Sequence, residues 1–534
     1  MTSRRVLVAV AATFAIAAAC AAVGVAIWRP APELPTTFSA AGRPARIVPD
    51  YADCWLPPNI CPISFRIEEA GAEYRVHAHA DACAGFVVGS RGASVSFPST
   101  PWRNLLDGNR GGQLRFDVYV RQAGAGWRKF DSIVSQVAAE DIDPYVAYRL
   151  LGPIQVLSSN MGTYQRELST YVQTPILESK EGSSRRCVNC HTFANNDPDS
   201  MVLHLRGAEG TALLVARNGR VSKVDTRRSE HAPPGSYGAW HPNAKLVALS
   251  FSAMVQFFHT AGNRRDVFMF DSDLGVLSVE SNRVIACPAI ADPDYVETFP
   301  CWSADGKALI FSRTKRQWTD RTGNEGPVPP VYKDVRFDLM RIAFDPDTCT
   351  WGDLETVLAA DRVGLSIVEP RVSPDNRTAL VTMTDYGCFP IFRDSSDLYF
   401  VDLNSGAYRP LSANSPESDS WHSWSRNGRW IVFASKRETG VFSRLFFSYV
   451  DRDGRDQKPF PLPQKNPDFY DALLDNFNAP EFAVKPVGVN QREFLRAIYR
   501  TSTLPVKSDL PDYGLPNTAP AYGTPGAPPA FRME

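Results

Sequence analysis

The chain has 534 residues, of which 57 are Lys or Arg and 58 are Asp or Glu, so its formal net charge is −1. A neutral balance without a basic stripe argues against nucleic acid as a partner. The length exceeds what one ordinary hydrophobic core supports, so several domains are expected.

The N-terminus carries a long apolar segment. Arg4 and Arg5 precede residues 6–27, which contain no charged side chain and are numerous enough to span a bilayer. Basic residues on the short side favour retention of that end in the cytoplasm. The sequence therefore predicts an anchor within residues 1–29 in a bacterial inner membrane, with the bulk of the chain in the periplasm. A cleaved signal peptide and lipidation at Cys20 are the alternatives.

The next two segments differ in composition. Residues 30–49 are rich in proline and are expected to form a linker. Residues 50–135 contain runs that alternate apolar and polar side chains, which predicts a small β-sandwich-like domain. His77 and His79 fall on one face of a predicted strand and suggest a metal site. Because no third ligand is visible nearby, a hydrogen-bonded strand pair is the preferred interpretation.

A helical connector is predicted over residues 136–200, where Pro144 suits the first turn of a helix. This segment contains Cys187, Cys190 and His191 in the spacing CxxCH, which is the attachment signal of a c-type haem. Two thiols three positions apart on one helical turn each form a thioether with a haem vinyl group, and the following His offers a nitrogen to the iron. The motif predicts one covalent haem c with His191 as proximal ligand.

Two other interpretations of the motif are weaker. A thioredoxin-like site or half of a zinc site would also contain a CxxC, but no βαβ pattern and no second ligand pair accompany it. Haem c is attached outside the cytoplasm, which agrees with the export signal. The sixth iron ligand stays open: the candidates are Met201, then His204 and Met161, with His259 also in the sequence, or an open position that binds ligands.

The rest of the chain is built from a repeat. Four segments share one pattern, in which a Trp or Val is followed by a Ser or His, then by a tight turn and an apolar strand. The four segments begin at Ala239, Cys301, Arg371 and Ser423. Asp-Gly and Asn-Gly supply the positive φ that such turns require. Four strands per unit predict a β-propeller of about five or six blades over residues 201–485. Residues 486–534 are a C-terminal extension, expected to be disordered from about 514.

These repeats resemble those of TolB-like propellers. Together with residues 185–193, 385–391 and 466–471, the pattern resembles a bacterial family of TolB-like proteins that carry a single CxxCH and are cytochrome-related. The resemblance implies a propeller and an extracytoplasmic haem site, without an established reaction. His241 and His422 stand beside or near repeat Trp residues and are assigned to blade packing.

Three functions follow from these features. The leading hypothesis is a membrane-anchored, extracytoplasmic monohaem c-type cytochrome whose propeller docks a redox partner protein or a small-molecule substrate, with electron transfer as its role. The first alternative is a non-redox TolB-like scaffold that binds protein or polysaccharide. The second is a haem-linked propeller oxidoreductase.

In an oxidising compartment, local disulfides are also expected, with Cys54–Cys61 and Cys287–Cys301 as plausible pairs.

Overall fold

The computed structural model describes residues 32–122, 124–152, 161–179, 186–207, 211–229, 232–258, 265–322 and 328–511. The predicted N-terminal anchor, His259 and the tail from residue 514 lie outside these ranges. Within them, no helix has the length and apolar character needed to cross a membrane.

The described residues are mainly β. The strands are β1 Phe38–Pro44, β2 Ile47–Val48, β3 Trp55–Leu56, β4 Ser64–Ile67, β5 Glu73–His79, β6 Phe86–Ser90, β7 Ser94–Ser96, β8 Gln113–Arg121, β9 Trp127–Asp131, β10 Ile133–Val137, β11 Tyr145–Leu151, β12 Met161–Glu167, β13 Gln173–Glu178, β14 Arg186–Ala194, β15 Asp197–Gly207, β16 Ala212–Arg217, β17 Arg220–Asp225, β18 Gly235–Trp240, β19 Leu246–Phe258, β20 Arg265–Ser278, β21 Arg283–Ile285, β22 Tyr295–Trp302, β23 Ala308–Lys315, β24 Asp338–Asp345, β25 Thr350–Leu358, β26 Ser366–Val372, β27 Thr378–Thr384, β28 Asp397–Asp402, β29 Tyr408–Pro410, β30 Asp419–Trp424, β31 Trp430–Ser435, β32 Arg444–Tyr449, β33 Phe460–Pro461, β34 Asn476–Ala483, β35 Leu504–Pro505 and β36 Lys507–Ser508. The helices are α1 Ser99–Gly108, α2 Ala360–Val363, α3 Phe469–Ala472 and α4 Gln491–Arg500, with 3-10 turns at Pro330–Lys333 and Pro390–Phe392.

Six sheets form the blades of a propeller. Blades 1 to 5 are β14–β17, β18–β21, β22–β25, β26–β29 and β30–β33, each antiparallel and in chain order. Blade 6 has the order β34-β11-β12-β13, so a strand from the C-terminal part completes three strands that precede blade 1. The inner strands β14, β18, β22, β26, β30 and β34 contact one another in a closed cycle. This closed cycle defines a six-bladed β-propeller.

Blade 6 corrects the predicted helical connector. Residues 136–200 contain strands β11 to β14 and belong to the ring of blades. Tyr145 pairs with Glu167 on one side and with Ala483 on the other. The helical prediction was wrong because a distant strand supplies the hydrogen-bonding partners, and local sequence carries no sign of that strand. The propeller therefore begins at Tyr145, before the predicted start at residue 201.

The outer edges of blades 1 and 2 receive the C-terminal extension. β35 adds to β17 and β36 adds to β21, both in parallel. Helix α4 begins at an Asn490 N-cap, whose side chain accepts a hydrogen bond from the Glu493 amide. The described part of the extension is therefore fixed to the propeller through residue 511.

The N-terminal domain combines a seven-stranded sheet, the three-stranded sheet β2-β4-β7 and helix α1. Its core is continuous with blades 5 and 6, because Trp102 and Phe116 belong to the same buried cluster as Trp430 and Phe482. The predicted linker over residues 30–49 is instead part of this domain, since β1 pairs with β9 and β2 pairs with β4. Its prolines are compatible with strands at sheet edges.

The repeat turns form as predicted between the first and second strands of the blades. In blade 3, Ser303 Oγ donates to Asp305 Oδ1 at 2.6 Å, and the same oxygen accepts the Lys307 amide at 3.0 Å. Gly306 follows with a φ of 73°. Asn376 occupies the glycine position in blade 4 with a φ of 62°, which Asn tolerates better than most residues.

Neither predicted disulfide is present, because all nine cysteines among the described residues are free. Cys54 Sγ contacts the Pro459 carbonyl oxygen at 3.8 Å. Cys301 is buried in the wall of the propeller, where its sulfur accepts the Val372 amide at 3.4 Å. These thiols are held by backbone groups of neighbouring strands.

Candidate functional site in the central channel

Each inner strand carries a bulge at the same level of the channel. The register of every inner strand against its neighbour shifts by one residue there. In five blades the bulged residue has positive φ without being glycine: Tyr237 (46°), Phe299 (52°), Glu369 (57°), Trp421 (48°) and Ala479 (45°). Such a conformation costs roughly 1–3 kcal/mol per residue, and it turns the side chain away from the regular alternation of the strand.

The bulges create the lining of a central cavity that is open to solvent. All six inner strands contribute. The lining residues are Cys190, His191, Tyr237, Gly238, Phe299, Pro300, Glu369, Pro370, Arg371, Trp421, His422, Ala479, Pro480 and Glu481. Apolar walls with a few converging polar groups are typical of small-molecule sites.

Three aromatic rings meet across the channel from blades 2, 3 and 5. The ring centroids of Tyr237 and Phe299 are 4.8 Å apart, and those of Phe299 and Trp421 are 6.2 Å apart. The Tyr237 hydroxyl reaches Met254 Sδ at 3.7 Å, on the long β19–β20 hairpin. We call Tyr237, Phe299 and Trp421 the aromatic cluster of the channel.

Two buried carboxyl groups lie in the channel wall. Glu369 Oε2 accepts hydrogen bonds from the Trp421 amide at 2.8 Å and from Thr382 Oγ1 at 3.1 Å. Glu481 Oε1 accepts from the Phe193 amide at 2.9 Å and from Thr192 Oγ1 at 3.0 Å. Burial raises the pKa of each carboxyl to about 7 despite these hydrogen bonds.

Arg371 is the one Lys or Arg among the described residues that line the cavity. Its guanidinium partly offsets the effect of burial on the pKa of Glu369 and of Glu481. Among the residues that the structure describes, it forms no ion pair within 4.0 Å. Since both carboxyls are largely protonated below pH 7, the channel is then net positive around this side chain.

The CxxCH motif lies on the inner strand β14 of blade 1. Cys190 and His191 fall at its bulge and line the channel, while Cys187 lies near the beginning of the strand. Both thiols are partly exposed. Cys187 Sγ is 3.7 Å from Met161 Sδ on β12 of blade 6. The expected helical turn is absent here, because strand pairing with β15 holds the motif extended.

His191 is buried, and neither of its ring nitrogens has a hydrogen-bond partner among the described residues. Burial and the positive charges of Arg149 and Arg371 together lower its pKa to about 3, and the Ala147 backbone opposes this shift. His422 of blade 5 occupies the position that Cys190 has in blade 1, and its Nε2 lies 2.9 Å from the Leu380 carbonyl oxygen. His191 is therefore a neutral imidazole whose ligating atoms are unused.

The other predicted iron ligands have different surroundings. Met201 is fully buried in the apolar cluster between blades 1 and 6, which also contains Val188 and Leu203. His204 on β15 is buried with both ring nitrogens unpartnered in the described structure, and burial lowers its pKa. The structure thus places Met161 beside Cys187 of the motif, whereas Met201 packs in the apolar core between blades 1 and 6.

Sequence reasoning missed Arg371, Glu369, Glu481 and the aromatic cluster. One sequence feature could have pointed to these residues: three inner strands contain an X-Pro pair whose proline lies two positions before a Trp, Val or Phe. These pairs are Phe299-Pro300, Glu369-Pro370 and Ala479-Pro480. His241 was correctly assigned to blade packing, since its ring lies 4.8 Å from that of Trp302. His422 also lines the channel.

No protein-family model and no curated protein matches this sequence. Solved structures with a similar fold include TolB from Acinetobacter baumannii, with a TM-score of 0.38 and 13% identity over 72% of this chain and 85% of that chain. An oligogalacturonate lyase from Vibrio parahaemolyticus has a TM-score of 0.30 and 10% identity over 55% of this chain and 85% of that chain. Similarity at this level carries no argument about activity.

The closed cycle of inner strands thus defines the class of the protein. It is a six-bladed β-propeller with a small N-terminal β domain packed on blades 5 and 6. The propeller predicted from the repeats is confirmed. The connection with a haem-bearing family stays a prediction.

Proposed function

We propose that the chain is a binding scaffold whose central channel holds the carboxylate of a ligand at Arg371. The observation that carries this proposal is a guanidinium without an ion pair in the described structure, beside two carboxyls whose pKa is about 7. A carboxylate presents two oxygens in the geometry that a guanidinium binds in a bidentate manner. The aromatic cluster would contact the apolar part of the same ligand.

The carboxylate belongs either to a small free acid or to an acidic group on a peptide or polysaccharide. Isothermal titration with benzoate and benzamide separates charge from shape, because the two molecules are of similar size and only benzoate is an anion. A glutamate-containing peptide and a polyuronate test the macromolecular sources. We expect benzoate to bind at least tenfold more tightly than benzamide, and more tightly at pH 6 than at pH 8.

The matched variants are Arg371→Met in the channel and Arg452→Met, whose side chain is 79% exposed. R371M should weaken benzoate binding at least tenfold, whereas R452M should bind as the wild type does. Equal binding of benzoate and benzamide would sink the proposal. So would an R371M protein that remains folded and binds benzoate normally.

A second candidate function is a monohaem c-type cytochrome, and the state of His191 favours it. Cys187 and Cys190 are partly exposed thiols, and His191 is a neutral imidazole with unused nitrogens. These are the residue types and the spacing that hold haem c: the two thiols would form the thioethers, and His191 would offer an axial nitrogen. Because the motif is extended, attachment would require this part of β14 to leave its pairing with β15. When bound, the haem would supply one-electron redox chemistry.

In this second proposal the chain is anchored in the bacterial inner membrane by residues 1–29 and faces the periplasm. Its partner is a redox protein or a small-molecule substrate that reaches the channel. A haem-linked oxidoreductase would use the same cofactor. Met161, Met201 and His204 remain the proposed candidates for the sixth ligand, beside an open position.

The test is expression in a host that matures c-type cytochromes, followed by denaturing electrophoresis with a peroxidase stain. We expect a haem-positive band from the wild type and from the Cys301→Ser control, and none from Cys187→Ala/Cys190→Ala. A wild-type band without haem excludes this candidate and leaves the binding scaffold. Spectra of the reduced protein with and without CO then distinguish six-coordinate iron from an open position.

A further inference from the structure

Three potential metal ligands meet in the N-terminal domain, away from the channel. His77 and His79 lie two residues apart on β5, so alternation places both on one face of the sheet. The neighbouring strand β8 is in register with Asp117 directly opposite His77. The strand pairing thus supplies the third ligand that the sequence did not reveal.

The ligand atoms of these residues have the spacing of a metal site. All three lie within 4.8 Å of one another, and His79 Nε2 is 3.5 Å from Asp117 Oδ1. With zinc–ligand bonds of about 2.0–2.2 Å, neighbouring ligand atoms in a tetrahedral site are roughly 3.3 Å apart. Small side-chain rotations would therefore bring the three atoms to bonding distance.

The two imidazole rings lie close together on this face of the sheet, with their centroids 4.4 Å apart. His79 Nε2 is buried and has no hydrogen-bond partner in the described structure. An unpartnered imidazole nitrogen next to a carboxylate is ready to bind a cation.

The carboxylate is held by two further groups. Ser132 Oγ donates to Asp117 Oδ1 at 2.5 Å, and Lys129 Nζ is 3.2 Å from Oδ2. Such contacts orient a ligating carboxylate. Because Lys129 is itself positively charged and contacts Asp117, it opposes the binding of a metal cation at this site. The Lys129 side chain therefore lowers the affinity of the site for a metal ion.

We propose that His77, His79 and Asp117 bind a divalent transition-metal ion. Two imidazoles and one carboxylate favour Zn²⁺, and three protein ligands leave a coordination position for water or a small ligand. Two of the ligands come from β5 and one from β8, which are paired along their length. The site depends on the N-terminal sheet and is independent of the propeller channel.

The experiment measures zinc bound per chain by the full-length protein after dialysis, together with titration calorimetry. Because thiols elsewhere also bind zinc, the readout is the difference between matched variants. His79→Ala and Asp117→Asn should each lose one zinc ion per chain and weaken binding at this site at least tenfold. Asp81→Asn is the control, since Asp81 lies beside the same sheet and its side chain is 84% exposed.

A further variant keeps the test decisive if a ligand substitution impairs folding. Lys129→Met removes the positive charge that competes with the metal ion and leaves His77, His79 and Asp117 unchanged. This variant should bind zinc several-fold more tightly than the wild type. Unchanged zinc content in folded H79A and D117N proteins would overturn the proposal. An unchanged affinity in K129M would do the same, and neither result would bear on the channel or on haem attachment.

Discussion

The rings of Tyr237 in blade 2 and Trp421 in blade 5 lie 6.1 Å apart, centroid to centroid, although two blades separate them around the ring. Both residues sit at inner-strand bulges with positive φ. A regular strand would not direct these side chains to the axis, so the strained bulges bring distant blades into contact. The aromatic cluster therefore links the blades as well as lining the channel.

Replacing Trp421 by alanine should remove this link. Truncation of a large aromatic side chain that is partly buried should lower the free energy of unfolding by about 2–4 kcal/mol. Urea denaturation measures the change. Tyr408→Ala is the control, because Tyr408 is 40% exposed and its loss should cost less than about 1 kcal/mol. Equal losses in the two variants would contradict a linking role.

The channel carboxyls predict a pH dependence of stability. Glu369 and Glu481 have an ordinary pKa of 4.5 in the unfolded chain and about 7 in the folded protein. Unfolding therefore releases protons from these two groups between these pH values, so their contribution to stability is largest below pH 4.5, falls up to pH 7 and then levels. The expected fall is roughly 3 kcal/mol per carboxyl.

Denaturation of Glu369→Gln/Glu481→Gln between pH 5 and pH 8 tests this dependence. The stability advantage of the wild type over the double variant should decline as the pH rises over this range, because glutamine keeps the hydrogen-bond acceptor and cannot ionise. Glu280→Gln at an exposed position should follow the wild type. A double variant whose stability has the same pH dependence as that of the wild type would refute the assignment.

A buried ion pair joins blade 2 to blade 4. Asp266 and Arg393 are 2.6 Å apart, with only 4% and 8% of their side chains exposed. Asp266→Asn removes the closer and more buried of the two carboxylates that pair with Arg393, the other being Asp385 at 3.7 Å, and should cost roughly 3 kcal/mol. Arg452→Ala breaks a pair at the surface and should cost less than about 1 kcal/mol. Thermal unfolding of both variants makes the comparison.

Two glycines with the same conformation should respond differently to alanine. Gly306 and Gly364 have φ values of 73° and 74°. A Cβ on Gly306 would lie 2.4 Å from the His241 ring, whereas no atom of the described residues would lie within 4 Å of a Cβ on Gly364. G364A should therefore cost about 1–2 kcal/mol from strain alone. G306A should cost more, and equal values would show that His241 moves freely.

Local sequence patterns were sufficient to predict the features that short-range chemistry controls. Ser303, Asp305 and Gly306 form a turn within five residues, so the repeat, the blade hairpins and the propeller class could be predicted from local pattern. Cys187, Cys190 and His191 are adjacent in sequence, so the motif was visible at once. The same residues suggested a helical turn, because CxxCH specifies spacing and not the strand that pairs with it.

The number of blades and the composition of the channel depend on long-range strand pairing, which local patterns did not reveal. β34 pairs with β11, although the two strands lie far apart in sequence. Because of this pairing, a segment that was predicted to be helical forms part of the sixth blade. Strand pairing in the N-terminal sheet likewise places Asp117 opposite His77. The closed ring of blades brings Arg371, Glu369 and Glu481 to the wall of one cavity. The physical reason is that strand partners and channel neighbours are set by long-range hydrogen bonding and packing, which leave no local mark on the residues involved.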